Sequence, residues 1–122
     1  MTTDDVPFDG TVLQIAAAKA SVGPGRLPAL LAAVQTALEP DLGEYRRRYE
    51  CVHEDESRIV FLVPADHWSG VGDRIGLTGR EADAVRRTHA QQLLRVGSEL
   101  DRREEFDTAL EIREAVVIGT DE

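Results

Sequence analysis

Residues 58–63 read Arg58-Ile59-Val60-Phe61-Leu62-Val63, and this run decides the fold class. Five apolar residues in a row, three of them β-branched, suit a short buried strand. Just before it, Glu54-Asp55-Glu56-Ser57 makes an acidic turn, and Tyr45 to His53 alternates with β-friendly character. Together they predict a β-hairpin. A turn loop with an odd residue count puts Tyr49 and Cys51 on the face of Ile59 and Phe61. It leaves Arg48 and Glu50 opposite Val60 and Leu62. A slip of one residue flips every side chain to the other face, so the odd loop is the expected one.

Two helices are expected upstream of the hairpin. Residues 1–8 read as a flexible acidic N-terminus. The first helix starts near Asp9 or Thr11, either of which can cap it, and Val12, Ile15, Ala16 and Ala20 recur at helical spacing. Ser21-Val22-Gly23-Pro24-Gly25 breaks it. Leu27, Leu30, Leu31, Val34 and Leu38 then form an amphipathic stripe. Pro28 falls in the first turn, where it is tolerated, and Glu39-Pro40 is the expected end.

Downstream, Ala65 to Gly76 reads as a loop that opens on Asp66-His67-Trp68 and carries glycines at 70, 72 and 76. Thr78-Gly79-Arg80-Glu81 is a capping box, with Leu77 and Ala82 at the staple positions. Ala82, Val85, His89, Leu93, Val96 and Leu100 line one face of the helix it starts, and Gly97-Ser98 is an expected kink. Residues 102–118 carry two readings. Phe106, Ala109, Leu110, Arg113 and Val117 suit a helix capped by Gly119, which is favoured; Ala115 to Ile118 also suits a third strand. The expectation is one mostly helical α+β domain over residues 9–119, with two N-terminal helices, a central β-hairpin, a C-terminal helical region and a tail at 120–122.

The chain has 122 residues, with 23 acidic and 14 basic side chains and a net charge of −9. An apolar content of 42% is too high for a disordered acidic tail. No apolar run approaches the ~18 residues of a membrane span, and no secretory leader is visible. The single cysteine makes no internal disulfide and fits a reducing cytoplasm. Lys19 is the only lysine; the other 13 cations are arginine. Dispersed acidity makes a fold repel itself, and salt screens that repulsion. In this acidity, in its scarcity of lysine and in its 14 alanines against three phenylalanines, the chain resembles small proteins of halophilic archaea. The resemblance concerns composition and implies a salt-rich cytoplasm, not an activity.

Several segments invite a functional reading. Ala17, Ser21, Val22, Leu27 and Leu30 have the spacing of a helix-turn-helix, and the hairpin has the place of a wing. Arg26, Arg46, Arg47 and Arg48 are then the candidate phosphate contacts. The outer face of the second helix lacks polar side chains to read bases, which weighs against it. Leu77 to Glu81 resembles the opening of some regulator helix-turn-helix domains over about ten residues, but the capping box explains the same letters. Cys51, His53, His67 and His89 lack the short repeated spacing of a zinc site. Cys51 is expected in the core. A Cys51/His67 pair oriented by Asp66 is the only thiol enzyme worth testing. Gly70 to Gly76 lacks the Gly-Lys-Ser/Thr of a phosphate loop. His67 and Trp68 are candidate partner contacts, with Trp68 better suited to covering the core.

The sequence therefore points to a non-enzymatic protein that acts by protein–protein contact, as a homodimer or with another partner. A DNA-binding regulator is the alternative, and a Cys51/His67 enzyme or metal protein the third. No cofactor, bound metal or membrane is expected. The composition makes one prediction: the melting temperature rises between low salt and ~2 M potassium chloride, through screening and strengthened burial. A thermal melt that is flat or falls with salt contradicts it.

Overall fold

Ile59 to Val63 forms the middle of a three-stranded antiparallel sheet in the computed structural model, which describes residues 6–20, 22–23 and 25–120. The strands are β1 (Glu50–Glu54), β2 (Arg58–Pro64) and β3 (Arg113–Gly119), in the order β1-β2-β3. Phe61 pairs with Cys51 on one side and Val116 on the other. Residues 59–63 are all buried, as befits a central strand covered on both faces.

The hairpin loop is Asp55-Glu56-Ser57, the expected odd count. Asp55 holds it: its Oδ1 accepts from the backbone N–H groups of Ser57 and Arg58 at 2.8 and 3.1 Å. The register then shifts once. Cys51 pairs with Phe61, but His53 pairs with Val60, so a bulge at Val52 mixes the faces near the turn. Cys51 shares the face of Phe61 yet is exposed, because β1 is an edge strand. The expected core position for Cys51 is thereby corrected.

The first strand is shorter than its sequence suggested. Residues 45–48 belong to a helix, α3 (Leu42–Arg48), which follows α2 (Arg26–Leu38) after one 3-10 turn at Glu39–Asp41. Leu42 and Tyr45 share its inner face, and Glu44 pairs with Arg47 and Arg48 at helical spacing. These local pairs outweigh the β-propensity of tyrosine. The stripe of α2 is as expected: Leu27, Leu30, Leu31, Val34 and Leu38 are all buried. Before it, α1 (Gly10–Lys19) buries Val12 and Ala16 but leaves Ile15 exposed.

Residues 67–75 also form a helix, α4 (His67–Ile75), where a loop was expected. Gly76 ends it at φ 81°, and the Leu77 N–H donates to the Gly72 carbonyl at 2.8 Å. A Cβ on Gly72 would lie 2.9 Å from the Ala82 Cβ, so this glycine lets α4 press against α5 (Gly79–Leu100). Glycines that read as flexibility are a close contact and a helix stop. The start of α5 has both bonds of the Thr78/Glu81 capping box, and α5 runs unbroken through Gly97-Ser98, without the expected division.

The C-terminal region divides into α6 (Arg103–Ala109) and β3. The favoured helix through residue 118 is corrected: Ala115-Val116-Val117-Ile118 is a strand, and Gly119 pairs with Arg58 instead of capping a helix. A lone hairpin is marginal and needs further partners. Here β3 supplies the third strand within the chain, so the hairpin itself does not require a second copy.

The domain also begins earlier than expected. Phe8 is in the core, and Arg58 Nε donates to the Pro7 carbonyl at 3.0 Å. The flexible N-terminus expected over residues 1–8 is corrected at 6–8; residues 1–5 lie outside the described residues, as do 121 and 122. Asp9 stands at the N-cap of α1 but makes no side-chain cap. Its carboxylate takes Arg58 Nη2 at 3.0 Å and Gln92 Nε2 at 3.1 Å instead.

The free edge of β3 is closed by side chains. Trp68 Nε1 donates to the Ala115 carbonyl at 2.8 Å. Val117 N–H donates to His89 Nδ1 at 2.8 Å. Gln35 Nε2 donates to the Val117 carbonyl, and Gln35 Oε1 accepts from Gly119 N–H. Because Nδ1 of His89 accepts, the ring is neutral with its proton on Nε2. That Nε2 is buried without a hydrogen-bond partner, with the Phe8 and Trp68 rings centred 4.9 and 4.5 Å from the imidazole. Burial pushes His89 down to about 3.

The unfolded chain binds this proton below its ordinary value near 6.5, while the folded chain refuses it until about 3. Stability from neutral His89 is therefore complete above pH ~6.5 and drains as pH falls toward 3, by about 1.4 kcal/mol per pH unit. Urea midpoints across that window should fall with acid in the wild type and less steeply in a His89→Gln variant. Equal slopes would contradict this.

Candidate functional site

Helix α3 delivers Tyr45 and helix α4 delivers His67 to a cleft made of two adjoining hollows, one of about 260 Å³ lined by Gly70 and Val71 and one of about 280 Å³ lined by Tyr49 and Arg48; Tyr45, His67 and Arg74 line both. The Tyr45 hydroxyl lies 2.6 Å from His67 Nε2. Burial, with smaller effects from Tyr49 and Asp41, pushes the Tyr45 phenol well above its ordinary value. The hydroxyl and Nε2 share one proton between them in this contact, and the tautomer of the neutral ring sets which of the two donates. Among the described residues nothing else bonds the ring nitrogens. Tyr49 stands edge-on to the imidazole, with ring centroids 5.3 Å apart. The floor is thus an imidazole set between two tyrosine rings.

The rim is charged. Arg74, in the last turn of α4, lies 3.4 Å from Asp41. Arg48, at the end of α3, bonds Glu44 at 3.2 Å and sits 5.6 Å from the centre of the Tyr49 ring. Burial holds His67 below its ordinary value; Arg74 and Arg48 add to this, and Asp66 opposes it. At neutral pH the imidazole is uncharged.

Trp68, the next residue, faces inward. It is 1% exposed, so its ring is core and the expected partner contact at Trp68 is corrected. The Trp68 backbone N–H donates to Glu114 Oε1 at 2.8 Å, so a carboxylate on β3 caps the first turn of α4. Burial raises Glu114 above the usual carboxylate range. Glu114 lines a second hollow of about 360 Å³ beside Asp66, Asp83 and Arg86.

The four candidate nucleic-acid arginines do not form one free surface. Arg26 pairs with Glu81 at 2.7 Å, at the first turn of α5. Arg46, Arg47 and Arg48 fan around α3, not along a wing strand, and pair with Glu54, Glu44 and Glu44 at 3.0, 3.7 and 3.2 Å. The outer face of α2 presents Pro28, Ala29, Ala32, Ala33 and Thr36.

The thiol and imidazole groups are dispersed. Cys51 and His53 lie on β1, where His53 Nε2 is 2.7 Å from Asp55. His67 is held by Tyr45, and His89 by Val117. No hydrogen bond joins Cys51 to His67, and Asp66 does not orient the His67 ring. Among the described residues no group of three or more His, Cys, Asp or Glu is arranged to hold a metal ion, and no helix is long and apolar enough to cross a membrane.

Tyr45, Tyr49 and Arg74 were missed as site residues because their segments read as strand and loop. A signal existed: Trp68, Val71 and Ile75 have i, i+3, i+7 spacing, and Tyr45 and Tyr49 are four apart. A family model described as a domain of unknown function (DUF8048) matches residues 6–120. No curated protein and no solved structure matches the chain.

The cleft predicts its own titration. His67 should titrate below its ordinary value of 6.5, and Arg74→Gln should raise it by removing a neighbouring positive charge. Imidazole chemical shifts followed against pH check both, and an unchanged midpoint in the variant contradicts the assignment.

Proposed function

The chain belongs to the DUF8048 family, and from that premise we propose that it is a non-enzymatic contact domain that docks another protein at the Tyr45–Tyr49–His67 cleft. One observation carries the reading: aromatic and imidazole rings floor a hollow whose rim exposes two arginines. Tyrosine and arginine are enriched where interfaces concentrate their binding energy. Both rings come from helices, so the surface is held in shape before a partner arrives. The buried polar side chains Gln35, His89 and Gln92 are spent on holding the fold, which further supports contact over catalysis. The raised Tyr45 phenol is a poor proton donor at neutral pH.

The partner is a different protein, since the motive for a dimer in the hairpin is met by β3. The acidic, lysine-poor composition supports a salt-rich cytoplasm as the place of work. The DNA-binding reading draws less support, because Arg46, Arg47 and Arg48 fan around a helix instead of lining a wing strand, and beyond Arg26 the outer face of α2 offers only Pro28, Ala29, Ala32, Ala33 and Thr36.

Gly70 lines the smaller hollow of the cleft, which shares Tyr45, His67 and Arg74 with the hollow that Tyr49 lines, and a Cβ there meets open space. Benzoylphenylalanine in place of Gly70, irradiated in the producing cell, should give discrete protein adducts. The same probe at exposed Glu104 on α6 should not, and Tyr49→Ala should remove the adducts. Absence of adducts at position 70, or adducts to nucleic acid, overturns the reading.

A further inference from the structure

We propose that the partner group seated in this cleft is a carboxylate carried beside an aromatic body, with Arg74 and Arg48 as its donors. The inference rests on the cleft being the contact site and names the chemistry it takes. Arg48, Arg74, His67 and the two tyrosines line one hollow of about 280 Å³. Among the described residues Arg74 is held by one 3.4 Å ion pair, to Asp41, and its side chain is 54% exposed. Arg48 engages Glu44 through Nη1. A guanidinium presents five donors in a planar fork, so both arginines keep donors free for a carboxylate. His67 is held at the floor by Tyr45 through Nε2 and reports on what sits above it.

The charged groups around the imidazole are Arg74, Arg48, Asp66, Asp41 and Glu44. Of these, Arg74 acts on the His67 imidazole most strongly, Asp66 next and Arg48 after it, in a chain that is acidic as a whole. Exposed ion pairs such as Arg74–Asp41 are worth only ~0–1 kcal/mol, so an incoming carboxylate displaces them at little cost. A cation would meet two guanidinium groups beside the three acids. A phosphate dianion would double both the attraction to the guanidinium groups and the repulsion from Asp41, Glu44 and Asp66, and the acids outnumber the arginines, so a singly charged carboxylate fits better. Tyr49 stands beside the donors and offers its ring to an aromatic neighbour of the carboxylate.

The test is a chemical-shift titration of the full chain at fixed ionic strength with benzoate, benzamide and phenyl phosphate. Benzoate should move the His67, Tyr49 and Arg74 resonances and bind at least about tenfold more tightly than neutral benzamide. Arg74→Gln and Arg48→Gln should each weaken benzoate at least about threefold. Both side chains are more than half exposed, so the variants should melt with the wild type. Equal binding of benzoate and benzamide, shifts confined to other residues, or benzoate affinity unchanged in both variants overturns the proposal. Tighter binding of phenyl phosphate overturns the choice of carboxylate. If benzoate fails while the Gly70 adducts persist, only the ligand chemistry is wrong. If benzoate binds while no protein adducts form, the cleft takes a small anion and the protein-contact reading fails.

Discussion

The free edge of β3 is the constraint on which the rest of the structure depends. Four backbone groups of Ala115, Val117 and Gly119 face away from β2, those of Ala115 and Val117 into the buried interior and that of Gly119 into a partly buried margin. Each would cost about 1–3 kcal/mol if left unpaired. Together that rivals the ~5–15 kcal/mol that separates a folded domain from its unfolded chain. Among the described residues no fourth strand covers this edge. Gln35 from α2, Trp68 from α4 and His89 from α5 cover it with side chains, so these three helices are tied to the sheet in register as well as by apolar contact.

This arrangement explains why the buried polar residues are where they are. A neutral His89 serves because one ring nitrogen must accept from Val117, and burial keeps it in that state. It also explains the outward surface. Helix α4 is anchored by the inward Trp68 and by the Glu114 cap. The residue before Trp68 sits about 100° around the helix, and His67 is thereby held against Tyr45 and Tyr49. A structural anchor and a candidate contact are adjacent in sequence because a helix turns between them.

Legibility followed the range of the interactions. The stripe of α2, the capping box at Thr78 and the strand at residues 59–63 depend on neighbours within a few positions, and all were readable. Helix α4 was not, because glycines carry no sign of what they approach: Gly72 is explained only by Ala82 across the crossing. Residues 113–119 have apolar letters that suit either a helix or a strand, and their pairing with β2 resolves them. Of the five side chains that make the candidate cleft, His67 and Arg48 were legible, but as members of different sites. Tyr45, Tyr49 and Arg74 were hidden by the misread segments around them.

Composition, the α+β class, the hairpin and the helix starts were carried by the chain's own letters, because propensity, capping and apolar period act locally. The third strand, the edge closed by Gln35, Trp68 and His89, and the meeting of Tyr45 with His67 joined residues 22 to 84 positions apart. Those contacts form only when helices and sheet pack, and no local pattern encodes which partner a distant side chain will meet.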